Sequence, residues 1–211
     1  MFIIILLVLP LQYIIIQIGY SQIDNSSSPN TTNNTIQPPS IVKPKVDLDI
    51  EGTIVDDKIK GGDGDDELNG KEGDDQLNGG KGDDELDGDE GNDIIKGQQG
   101  NDIIDGDEGN DNLIGERDVD VITGHEGDDK VDGGKGDDHL DGSEGNDEIN
   151  GGEGSDIIIG GLGSDIFICD EFDKIMDFSS IEGDKKIGVC LVDDYSKSNA
   201  TELVRNTTIL K

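Results

Sequence analysis

An all-β fold, a parallel β-solenoid of about 13 nine-residue units closed by a short C-terminal β cap, is what this 211-residue sequence predicts. Three observations carry the prediction. A unit of the form G-G-x-G-x-D-x-U-x, with U a large apolar residue, recurs over residues 52–168 without one insertion, so that 117 residues divide into 13 units. Within it, position 1 is Gly and position 6 is Asp in all 13 units, position 8 is apolar in all 13, and position 4 is Gly in 11, failing only at Val55 and Asp118. Finally, aromatic residues make up 3% and apolar residues 31% of a chain with 32 glycines, too little for a conventional close-packed core.

The chain begins with an apolar run, residues 2–18, broken by Pro10, Gln12 and Gln17 and followed by Gly19, Tyr20 and Ser21. Small residues at positions −3 and −1 of a cut after Ser21 mark residues 1–21 as a secretory signal peptide; if it is not cleaved, the same run is a membrane anchor. Residues 22–46 form an Asn/Ser/Thr/Pro linker, expected to be extended and unfolded. N-glycosylation patterns begin at Asn25, Asn30 and Asn33 in the linker and at Asn199 and Asn206 in the tail, and none falls inside the repeats.

Residues 47–168 are assigned to the solenoid. Glycines at positions 1 and 4 permit positive φ and let the backbone curl with its carbonyls inward, which predicts a six-residue turn followed by a three-residue strand. The x-U-x strand turns its apolar residue inward: Ile59, Leu68, Leu77, Leu86, Ile95, Ile104, Leu113, Ile122, Val131, Leu140, Ile149, Ile158 and Phe167. Two units make one coil, and stacked coils make two parallel sheets with a thin aliphatic seam. Turns on one edge then belong to units i and i+2, and the gaps between them are lined by carbonyls and by position-6 carboxylates. Such all-oxygen gaps suit Ca²⁺ better than Mg²⁺, Zn²⁺ or Cu²⁺.

Charge points to the same partner. The chain has 50 acidic and 16 basic residues, a formal charge of −34, of which residues 52–168 carry 37 acidic against 8 basic. That field repels nucleic acid and anionic lipid and attracts polyvalent cations.

These units resemble the Ca²⁺-binding nonapeptide repeats of RTX (hemolysin-type) proteins. The resemblance implies a parallel β-roll in which Ca²⁺ is held by turn carbonyls and by the position-6 side chains of units i and i+2. Carried over, the metal-binding residues are Asp57, Asp66, Asp75, Asp84, Asp93, Asp102, Asp111, Asp120, Asp129, Asp138, Asp147, Asp156 and Asp165, with Asp66 paired to Asp84 and Asp75 to Asp93. Thirteen turns leave eleven gaps. The first unit lacks glycine at positions 2 and 4, and the eighth places Arg117 and Asp118 in its turn, so about eight well-formed Ca²⁺ sites are expected and up to three weaker ones.

Residues 169–211 are expected to form the cap and tail. Asp173 to Phe178 and the Gly183-Asp184-Lys185 triplet are similar to the segment that often ends RTX arrays, with Ile166, Phe167, Ile168, Phe172, Ile175 and Phe178 as its packing residues. The only cysteines, Cys169 and Cys190, can form one disulfide if the protein is exported. His125 and His139 occupy variable positions and are expected on the solvated surface.

Other chemistries fit less well. Asp137 to Glu148 approaches an EF-hand loop but places His139 where a carboxylate belongs. GGKGDD is not followed by the G-K-[ST] of a phosphate loop, and neither H-E-x-x-H nor G-x-S-x-G occurs. No enzyme is expected. The sequence predicts a secreted or cell-surface protein whose repeats fold on binding several Ca²⁺ ions and serve a structural or adhesive role, with cell-surface glycans or envelope proteins as further partners. A Ca²⁺-dependent carbohydrate-binding or accessory module of an extracellular enzyme system is the alternative.

Overall fold

A computed structural model describes residues 45–192. The expected signal peptide, almost all of the expected linker, the end of the tail and every N-glycosylation pattern lie outside the described residues. Seventeen strands follow one another: β1 (Asp49–Glu51), β2 (Lys58–Asp63), β3 (Glu67–Glu72), β4 (Gln76–Lys81), β5 (Glu85–Glu90), β6 (Ile94–Gln99), β7 (Ile103–Glu108), β8 (Asn112–Arg117), β9 (Val121–Glu126), β10 (Lys130–Lys135), β11 (His139–Glu144), β12 (Glu148–Glu153), β13 (Ile157–Ile159), β14 (Ile166–Cys169), β15 (Lys174–Ile175), β16 (Lys185–Gly188) and β17 (Leu191–Val192). No helix is present among the described residues, which removes the EF-hand alternative: His139 and Glu148 begin strands β11 and β12.

The strands build the predicted parallel solenoid, of about eight coils. Odd strands form one nine-stranded sheet and even strands one eight-stranded sheet, each in chain order. Register is set by the apolar position, with Ile59 opposite Leu77, Leu86 opposite Ile104 and Val131 opposite Ile149. A slip by one residue would turn every such side chain to solvent, so the seam fixes the pairing. All 13 position-8 residues are buried, and they form the core together with Cys169, Ile175 and Cys190.

The coil is divided differently from the expectation. Most strands are six residues long and the turns are three, because positions 2 and 3 rejoin the ladder after position 1 interrupts it: Gly62 pairs with Gly80 and Asp63 with Lys81. Positive φ falls at positions 2 and 4 rather than 1 and 4, and seven position-2 residues, including Lys71, Asp89 and His125, adopt it without being glycine.

The stack also runs past both ends of the nine-residue register. Before it, Ile50 of β1 pairs with Leu68 and packs on the core. After it, β15 and β17 extend the odd sheet and β16 the even one. Phe167 and Ile175 are buried in the cap as expected, Phe178 packs on Phe167 with ring centroids 6.2 Å apart, and Ile166 and Ile168 are half-buried. Phe172 is 62% exposed and is not a packing residue, since it sits in the turn between β14 and β15 rather than on a strand. Cys169 and Cys190 form a disulfide, with Cα atoms 5.7 Å apart, that ties β14 to the residue before β17.

Alternation of units sorts charge between the two sheets. The strands of the odd sheet carry fourteen Asp or Glu and two Lys, net −12. Those of the even sheet carry nine Lys or Arg and five Asp or Glu, net +4.

Candidate metal centre

Each turn is positions 4 to 6 of a unit, and position 6 is where the chain re-enters a strand. The Asp there cannot point to solvent, because position 8 two residues on is committed to the seam and alternation places position 6 on the same side. Twelve of the thirteen predicted residues, Asp66 through Asp165, are accordingly at most 2% exposed. Asp57 of the irregular first unit is half-buried.

One carboxylate oxygen of each buried Asp joins the coils. The amide of Asp66 donates to Asp84 Oδ1 at 2.8 Å, that of Asp75 to Asp93 Oδ1 at 2.7 Å, that of Asp102 to Asp120 Oδ1 at 2.9 Å and that of Asp147 to Asp165 Oδ1 at 3.0 Å. The predicted partners in units i and i+2 are thus brought together along both edges. The other oxygen is left over. In eleven residues, Asp66, Asp75, Asp84, Asp93, Asp102, Asp111, Asp120, Asp129, Asp138, Asp147 and Asp156, Oδ2 is buried with no hydrogen-bond partner. Asp57 departs again: its Oδ2 accepts from the amide and hydroxyl of Thr53, each at 2.7 Å.

Position 1 explains where those oxygens go. The point at which Gly61 would carry a Cβ lies against Asp66 Oδ2 and 2.6 Å from the carbonyl oxygen of Gly79, the position-1 glycine two units on. Seven further glycines repeat this arrangement, among them Gly88 with Gly106 O at 2.7 Å and Gly124 with Gly142 O at 2.7 Å. Glycine is required here for room, not for φ. The donors that converge are a carboxylate and a backbone carbonyl, both hard oxygens, and this set fits Ca²⁺.

Electrostatics agree. Burial pushes the Asp84, Asp111 and Asp147 carboxyls up to about 7 and that of Asp120 to about 8, with neighbouring carboxylates adding to the rise and the amide donated to each opposing it. A buried anion without a counter-charge takes up a proton, and a bound cation reverses that preference.

The eighth unit keeps its geometry despite its substitutions. Asp118 takes φ 73° where glycine is the rule, and Asp120 is fully buried with a free Oδ2 like its neighbours. Two residues of the same kind escaped the repeat count: the amide of Asp156 donates to Asp173 Oδ1 and that of Asp165 to Asp184 Oδ1, each at 3.1 Å. The D-x-U spacing of Asp173 and Ile175 is the signal that points to the first, but it stands one residue out of step.

On the outer face of the odd sheet Asp87, Asp89 and Asp107 bring carboxylate oxygens within 4.8 Å of one another. His125 lies beside them, 3.8 Å from Asp107 and 3.6 Å from Asp105, with its side chain 46% exposed.

A comparison with protein-family models finds the RTX calcium-binding nonapeptide repeat in four copies, at residues 51–86, 78–113, 105–140 and 132–167. Neither the comparison with curated proteins nor that with solved structures gives a match. The four copies together run from 51 to 167, over half of the chain, and coincide with the coils whose turns hold the buried, unpartnered carboxylate oxygens. The chain therefore belongs to the RTX calcium-binding nonapeptide repeat family, and it is a calcium-binding protein whose repeats have a structural role.

Proposed function

We propose that this is a secreted or cell-surface protein, without catalytic activity of its own, whose repeats fold as Ca²⁺ fills the turns and then act as a stiff structural or adhesive element. In this reading residues 1–21 direct export, 22–46 are a linker, 47–168 form the calcium-binding solenoid with Asp57 through Asp165 as the metal-facing set, and 169–211 are cap and tail. The observation that carries it is the file of eleven buried Oδ2 atoms without partners. Leaving so many carboxylate oxygens unsatisfied is strongly unfavourable, and a divalent ion in each gap turns that deficit into stabilisation. The disulfide fits an oxidising compartment, where extracellular calcium modules bind at ~10⁻⁴ to 10⁻³ M. About eight strong sites are expected, up to eleven in all. Calorimetric titration of the metal-free chain should return that stoichiometry; uptake of only one or two ions would overturn the reading.

A second reading, binding of a carbohydrate by the calcium-loaded form, is favoured by one feature of the even sheet. A shallow cavity of about 350 Å³ is lined by Lys58, Lys60, Lys96, Gln76 and Asn78 over Ile59 and Leu77. None of the three lysines forms an ion pair among the described residues, although acidic groups outnumber basic ones threefold. Unpaired ammonium groups beside amides suit a carboxylated or sulfated polysaccharide. Retention on a polyuronate resin, but not on a neutral glucan, in Ca²⁺ and not in EGTA is the expected result, abolished by charge reversal at Lys58 and Lys60.

A further inference from the structure

The repeat match ends at residue 167, but the hydrogen-bonded stacking does not. Asp173 follows Asp156 by 17 residues where the repeat spacing is 18, and the missing residue falls in the turn between β14 and β15. Register recovers at once, with Ile157 opposite Lys174 and Ile158 opposite Ile175. Asp173 thus takes the place of a position-6 residue.

What the deletion changes is the pocket at Gly151. In the repeat pockets at Gly61, Gly70, Gly88, Gly106, Gly115, Gly124, Gly133 and Gly142, the oxygen that faces the Asp is the carbonyl of the position-1 glycine two units on. At Gly151 the oxygens nearest the point of a Cβ are Asp156 Oδ2, at 2.5 Å, and Asp173 Oδ2, at 3.0 Å. The residue that stands where the next position-1 glycine would be is Cys169; its carbonyl meets Gly188 instead, and its side chain is bonded to Cys190. The second oxygen nearest that point is thus a carboxylate's, where the eight repeat pockets place a neutral carbonyl.

Both carboxylates are out of water, Asp156 at 1% and Asp173 at 0% exposure. Asp156 Oδ2 has no partner, and Asp173 Oδ2 accepts one N–H, from Asp170 at 2.6 Å. Neither residue forms an ion pair with Lys, Arg or His among the described residues. Two buried carboxylates that face one point repel unless positive charge lies between them. We propose that Asp156 and Asp173 form a further Ca²⁺ site, outside the nonapeptide repeats, which closes the C-terminal end of the metal file and holds its ion at lower free Ca²⁺ than the repeat turns do. The inference rests on the reading that the repeat turns bind calcium. The higher affinity follows from ligand charge, because a second carboxylate oxygen faces the pocket at Gly151 where the repeat pockets present a carbonyl oxygen.

Native mass spectrometry of the full chain across buffered free Ca²⁺ counts the ions directly. The Asp173→Asn variant is expected to carry one ion fewer at saturation, and the ion it lacks is the one the wild type keeps longest as Ca²⁺ is withdrawn. Asp84→Asn, a repeat-turn control beside the pocket at Gly79, should lose ions from the repeat turns but retain that last one. A wild-type count in Asp173→Asn, as when the two carboxylates share a proton instead, overturns the inference. Should Asp173→Asn not reach the native circular dichroism spectrum in Ca²⁺, the test moves to anomalous scattering from wild-type crystals grown in Ca²⁺. A peak between Asp156 and Asp173 supports the site, and its absence while the repeat turns show peaks overturns it. If the wild type takes up no Ca²⁺ at all, it is the repeat reading that fails.

Discussion

A methyl group on Gly61 would place carbon against Asp66 Oδ2 and within 2.6 Å of the Gly79 carbonyl. Gly61→Ala should therefore fill the space proposed for an ion: one Ca²⁺ fewer by native mass spectrometry, and a loss of about 1–3 kcal/mol in urea unfolding with Ca²⁺ present. An unchanged ion count in a folded Gly61→Ala would contradict the role given to position 1. Asp118 tests the opposite case. It holds φ 73° with a side chain, so Asp118→Gly relieves a left-handed conformation and is expected to stabilise the calcium-loaded chain by about 0.5–1 kcal/mol, read as a rise in melting temperature. The same residue shows why the eighth unit looks worse in sequence than it is. The turn pays for one strained residue and leaves Asp120 in place, fully buried.

At the level of the strand and its coil, each position-8 residue pairs with the rungs next to it in its own sheet and faces the other sheet across the seam. Leu113 of β8 lies between Ile95 and Val131 in the even sheet. Leu113→Ala should cost about 2–5 kcal/mol locally. Hydrogen exchange is expected to show lost protection in β6, β8 and β10 and little change in β2 or β14, because a stacked array is held by nearest neighbours. Uniform loss along the whole stack would argue against that picture. The cap is held differently. The Cys169–Cys190 bond spans 21 residues, and loop closure over that length is worth about 3 kcal/mol. Replacing both cysteines by serine should lower the melting temperature and release β15 to β17 before the repeats.

Over the whole molecule, the buried carboxylates set how the metal-free chain responds to pH. Their folded-state pKa values lie above the ordinary 3.8, at about 6 for Asp93, Asp102 and Asp165, about 7 for Asp84, Asp111 and Asp147 and about 8 for Asp120. Protonation then favours the fold: its contribution is full below about pH 4 and is lost as pH rises through 6 to 8. In EGTA the chain should show more β structure by circular dichroism at pH 5 than at pH 8, and Ca²⁺ should abolish the difference; a metal-free fold more stable at pH 8 would refute this. Much of this was legible in the residues. Asp and Gly at positions 6 and 1 and an apolar position 8, repeated every nine residues, determine by themselves the parallel coils, the seam and the inward-facing carboxylates, because period and side-chain alternation are properties of the local chain. Only the tertiary structure decided that position 1 is glycine for room and position 2 takes the positive φ, that Asp173 and Asp184 prolong the file beyond the register, and that odd and even units sort their charge onto opposite sheets. Those outcomes depend on which residues meet one coil away. Hydrogen bonds between coils, rather than a count of nine, set that meeting, so a one-residue deletion that ends the sequence pattern leaves the stack intact.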